Sequence, residues 1–184
     1  MRLLSALSLV ALLVVVVGCS PAAPPAPTAA APQVKANLNQ VMRGILFPNS
    51  NVIFDAQDTD PGAPPDPAAA GSNPYAGTYG GWEAVENASM ALAEAANLIS
   101  LPGRVCQNNK PVPLDDPVYQ KGLAALREVA QLSYDTAKAR KYDADAMLNV
   151  ADKVTQACAT CHDVFRDRVV DGKPIGMEDR CTKG

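Results

Sequence analysis

Between residues 35 and 169 apolar positions recur at intervals of three and four, the spacing that turns one face of a helix toward a core. Leu38, Val41, Met42 and Ile45 mark a first helix over about 35–47, with a continuation through 52–57 beyond Pro48. Trp82, Val85, Ser89, Leu92, Ala96 and Ile99 mark a second over 81–101, stopped by Pro102-Gly103. Asp116 followed by Pro117 is a capping side chain with proline at the first helical position, and it opens a third helix over 116–142. Its inward positions are Tyr119, Leu123, Leu126, Val129 or Ala130, Ser133 and Ala137. In the fourth, over 143–169, the stripe is Met147, Ala151, Val154, Cys158, Cys161 and Phe165. The two-residue alternation of a strand is nearly absent, so the pattern predicts an all-α domain. Pro48 predicts a break in the first helix, with Asn49-Ser50-Asn51 capping its resumption. Residues 58–80, rich in Pro, Gly, Asp and Ala, show no core face and read as an exposed loop, with Tyr75 and Tyr79 packed on the outside of the helices.

The amino end has a different composition. Arg2 precedes an apolar run from Leu3 to Val17, shorter than the roughly 20 residues a membrane span needs, so 1–18 read as a signal peptide. The run ends Val16-Val17-Gly18-Cys19, which looks like a bacterial lipobox and implies lipid on Cys19. Ser20 to Gln33 is Ala and Pro apart from Thr28, a composition that buries no core and extends at about 3.1 Å per residue. Residues 19–33 are thus expected to be a lipidated Cys and tether, and 34–184 a single domain. Ser20 after the lipidated Cys favours a bacterial outer membrane, with the domain facing the periplasm.

The chemistry concentrates in Cys158-Ala159-Thr160-Cys161-His162. C-x-x-C-H is the attachment signal for haem c: two thiols add across porphyrin vinyl groups and the adjacent His ligates the iron. His162 is the only histidine in the 184 residues. A zinc site from the same residues lacks a second C-x-x-C pair to complete four ligands, and a thioredoxin-like pair lacks a βαβ context. One covalent haem through Cys158 and Cys161, with His162 as iron ligand, is the expectation. Of five cysteines, Cys106 and Cys181 are left, and an oxidising compartment favours their pairing. In an antiparallel four-helix arrangement the link carrying Cys106 and the tail carrying Cys181 lie at one end, within a disulfide's reach.

With the motif near the end of the last of four helices, followed by Phe165 and Arg166, the chain resembles the class II c-type cytochromes, the cytochrome c′ family and its low-spin relatives. The resemblance implies an up-down-up-down four-helix bundle and a non-enzymatic haem protein. Class I cytochromes place the motif near the domain start, whereas only 163–184 follow His162 here. Asn39-Gln40-Val41-Met42-Arg43 is similar to the family's first-helix segment, where an apolar side chain or Met faces the distal side of the haem. That implies Met42 as distal ligand, in an electron carrier with six-coordinate iron. The alternative is a five-coordinate protein that binds nitric oxide or carbon monoxide. A peroxidase-like site would want a distal His as acid and base. Arg43 and Arg166 are candidates for the haem surroundings. The formal charge of −3 carries no basic run, which argues against nucleic acid. Redox proteins of the cell envelope are the expected partners, with a membrane reached through lipid. Relatives dimerise through their first two helices, a contact that Pro48 and the 58–80 insertion would alter.

Overall fold

The computed structural model describes residues 32–64, 73 and 75–183. The signal peptide, Cys19 and most of the tether lie outside the described residues, as does much of the 58–80 insertion. The described chain is mainly helical, with four principal helices and one two-stranded hairpin. Among the described residues no helix is long and apolar enough to cross a membrane.

The first helix, α1, runs unbroken through Pro48, contrary to the break expected there. It comprises Leu38–Val41, a π-helical turn Met42–Leu46, and Phe47–Asp55. Asn37 and Gln40 close its start reciprocally: each side chain accepts the other's backbone N–H at 2.9 Å. The π turn explains how proline is tolerated. A regular ladder would require an N–H that Pro48 lacks and would press its ring on the preceding turn, at a cost of about 3 kcal/mol. Slipping the ladder by one residue moves the demand elsewhere: Phe47 N–H donates to the Met42 carbonyl. Asn49 does not cap a new helix; its side-chain amide donates to the Ile45 carbonyl at 2.7 Å within the continuing one.

Helix α2 (Trp82–Leu98) and helix α3 (Pro117–Lys138) bury every inward position expected of them. Asp116 caps α3 by accepting the Val118 N–H at 2.7 Å. That helix ends four residues before Tyr142, because Arg140 turns left-handed at φ 48° and the chain leaves the axis. Helix α4 (Ala144–Phe165) also stops short of 169. An antiparallel hairpin follows, β1 (Val169–Val170) with β2 (Lys173–Pro174), turned by Asp171 and Gly172 at φ 49° and 74°. Asp-Gly is a hairpin signal with positive φ at both central residues, and it was legible in the sequence.

Helix α2 packs on α3 and α3 on α4, while the Phe47–Asp55 part of α1 packs on both α2 and α4. Ile53, Val85, Leu123, Met147, Val150 and Val154 are fully buried between them. Across α2 and α3 the Ser89 and Ser133 hydroxyls lie 2.7 Å apart, both buried, and Ser89 also donates to the Val85 carbonyl at 2.7 Å. The 58–80 segment contributes more than expected. Tyr75 is buried in the core rather than packed outside, and its hydroxyl donates to the Val52 carbonyl at 2.6 Å. Tyr79 is exposed. At that same end Tyr142 donates to the Gln57 carbonyl at 2.9 Å. At the opposite end Leu38 N–H donates to the Val105 carbonyl at 2.8 Å, and Cys106 pairs with Cys181 at disulfide distance, their Cα atoms 6.5 Å apart.

Candidate functional site

The last turns of α4 carry Cys158, Cys161 and His162 at the end where the disulfide lies. All three are half-buried, and Cys161 Sγ lies against the α3 backbone at Gly122. Buried Ala157 carries the inward face there, and the cysteines, only half-buried, pack against the core from beside it. A cleft of about 330 Å³ opens beside them. Leu46 and Phe47 of α1, Leu92 of α2, and Leu123 and Leu126 of α3 wall it with apolar side chains. Met42 and His162 line the same cleft, and both extend into an adjoining hollow of about 90 Å³. Arg43 and Arg166 also reach the cleft, so the structure brings together all the residues expected near the iron.

The thiols are held neutral. Burial, then the neighbouring Cys158 and Asp116, push the Cys161 thiol up to about 11. Burial likewise raises Cys158, partly offset by the Arg166 guanidinium. A redox-active C-x-x-C pair depends on a lowered thiol pKa, so this environment argues against exchange chemistry. Burial and the Arg166 charge favour the neutral imidazole of His162, the form that binds metal. Arg166 Nη1 lies 3.4 Å from His162 Nε2, while its Nε donates to both oxygens of Asp167 at 2.8 and 2.9 Å.

No protein-family model, curated protein or solved structure matches this chain.

Three contributors escaped the sequence pattern, and a fourth, Tyr119, was expected only as a core position. Gly122 sits in the middle of α3, where a Cβ would collide with Cys161 Sγ, so its bare backbone makes room for that thiol. A glycine inside a helical period costs about 1 kcal/mol against alanine, and that anomaly was the available signal. Tyr119 borders the hollow beside Phe165, edge to face with ring centroids 6.0 Å apart, and donates its hydroxyl to the Ile99 carbonyl at 2.9 Å. Met177, in the carboxyl tail, also borders that hollow. Arg180 lines both spaces from the tail, where no periodicity could announce it.

Proposed function

We propose that this chain is a monohaem c-type cytochrome that transfers electrons in the periplasmic space, built as an antiparallel four-helix bundle. The observation that carries the proposal is the placement of Cys158, Cys161 and His162 on one wall of an apolar cleft that Met42 also lines. Three features fit a covalently held tetrapyrrole: the bare α3 backbone at Gly122 beside one thiol, the aliphatic walls, and the basic rim of Arg43, Arg166 and Arg180 for its carboxylates. The up-down-up-down course is supported by what gathers at each end. The start of α1, the α2–α3 link and the tail share one end, and the α3–α4 link meets the end of α1 at the other.

Each residue then has a task. Cys158 and Cys161 would hold the haem through thioethers, formed by addition of each S–H across a vinyl group, which consumes neither oxidant nor reductant. His162, as a neutral imidazole, and Met42 of α1 would hold the iron. When bound, the haem supplies an iron that exchanges single electrons without a change of ligands. The leucines of the cleft exclude water, which limits reorganisation around the changing charge. Lipid on Cys19 and the Ala/Pro tether would hold the domain off a membrane while leaving it reachable by redox partners of the envelope.

Extraction with acid acetone tests this proposal on protein matured in a host that attaches haem c. Colour should stay with the polypeptide; haem released into the organic phase, or none in the protein at all, rejects it.

A further inference from the structure

Arg168 and Arg180 each carry a buried Nε without a hydrogen-bond partner among the described residues, and of the two only Arg180 lines the cleft. No ion pair among those residues includes Arg180. A guanidinium N–H withdrawn from water without an acceptor is unfavourable, and the group's planar fork matches a carboxylate. Asp167 feels the Arg180 charge, but no ion pair joins the two among the described residues. Asp167 is engaged by Arg166, and Glu178 and Asp179 precede Arg180 in an exposed 3₁₀ turn. The other charged or titratable groups that line the spaces shared with Arg180 are Arg43 of α1, Tyr119 of α3, and Cys158, Cys161, His162 and Arg166 of α4, none of which is a carboxylate.

The backbone around Arg180 is fixed from three directions. The Asn108 side-chain amide lies within 3.0–3.2 Å of the Met177, Glu178 and Arg180 carbonyls. Cys181 N–H donates to the Phe165 carbonyl at the end of α4 at 2.8 Å. The Cys106 disulfide holds Cys181 itself, whose φ of 65° is a left-handed conformation that a non-glycine residue adopts only under constraint. One residue before that covalent anchor, the side chain of Arg180 turns into the cleft.

We propose that Arg180 binds a carboxylate of the cofactor and that the Cys106–Cys181 bond is the latch that positions it. The tail is then a clamp, closed covalently at one residue and electrostatically at the next. The inference rests on the haem reading above and goes beyond the motif, because it assigns a task to the tail and to the disulfide together. A guanidinium at that carboxylate keeps it ionised to lower pH. An ionised carboxylate favours ferric iron, so the reduction potential climbs as pH falls through the carboxylate's pKa. Without Arg180 the climb should begin at higher pH.

The experiment is potentiometry of the holoprotein across pH for wild type, Arg180→Gln, Cys106→Ser and the double variant. A reduced pyridine spectrum comes first, and absence of haem c from wild type would reject the cytochrome reading before any variant is compared. With haem present, Arg180→Gln should start its climb higher by about 1–3 pH units. Cys106→Ser should move the curve the same way, and the double variant no further than Arg180→Gln alone. A curve for Arg180→Gln superimposable on wild type overturns the proposal. An unmoved Cys106→Ser curve, or shifts that simply add, overturns the latch. Should Arg180→Gln fail to mature, Cys106→Ser must move by itself, and its failure to do so overturns the whole inference.

Discussion

The two ends of the helical domain are built on opposite principles. Toward the Val52–Gln57 end and the middle, Ile53, Val85, Met147, Val150 and Val154 leave almost no surface to solvent, and the buried Ser89 and Ser133 hydroxyls are hydrogen-bonded to each other. Toward the disulfide end the same helices diverge around a cleft rimmed by two neutral thiols, an imidazole and three guanidiniums. The first end is close-packed in the way interiors are, with each side chain replacing another's solvent. At the second, apolar walls face one another across a gap and are joined by a π turn, a bare glycine and a stapled tail. Stability and chemistry are therefore segregated along the axes, and changes at one end should leave the other largely untouched.

Met42→Ala is the sharpest way to break that division at the cleft. If Met42 ligates, the holoprotein should pass from low-spin to high-spin iron, lose the weak long-wavelength band of Met ligation and bind carbon monoxide readily, while thermal unfolding changes little. A low-spin spectrum retained in Met42→Ala would move the role to Met177, the other methionine bordering the hollow. High-spin iron already present in the unmodified protein would favour the gas-binding alternative.

At the packed end Met147→Ala should have the converse effect. Its side chain is fully buried, so denaturant titration should show a loss of about 2–5 kcal/mol, with the visible spectrum unchanged. A changed spectrum would show that the two ends are coupled. The smallest effect concerns the hydroxyl pair. Ser89→Ala leaves the buried Ser133 hydroxyl without its partner and should cost about 1–3 kcal/mol, whereas Ser89→Ala with Ser133→Ala should recover most of that loss. A double variant no more stable than the single one would mean that the pair is held by more than its shared hydrogen bond.

Helices α2 and α3 were legible from spacing because their buried positions follow a period that propensity and burial both enforce, down to Ser89 and Ser133. The α3 cap was legible because Asp116 and Pro117 act within one turn of chain. Pro48 misled for the complementary reason. A proline's local cost is certain, but whether the helix ends or slips into a π turn depends on packing against α2 and α4, which the local pattern does not contain. Tyr75 misled likewise, since its burial depends on a carbonyl 23 residues away in sequence.

By itself the sequence determined the helical class, the pairing of Cys106 with Cys181 and the C-x-x-C-H constellation, each of which rests on short-range spacing or on counting a few reactive residues. Only the tertiary structure decided that Gly122 lies against Cys161, that Met42 shares a cleft with His162, and that Arg180 lines that cleft from the tail. Those contacts join residues from different helices and the tail. Their positions follow from how whole elements pack, a property of the folded chain that no local period encodes.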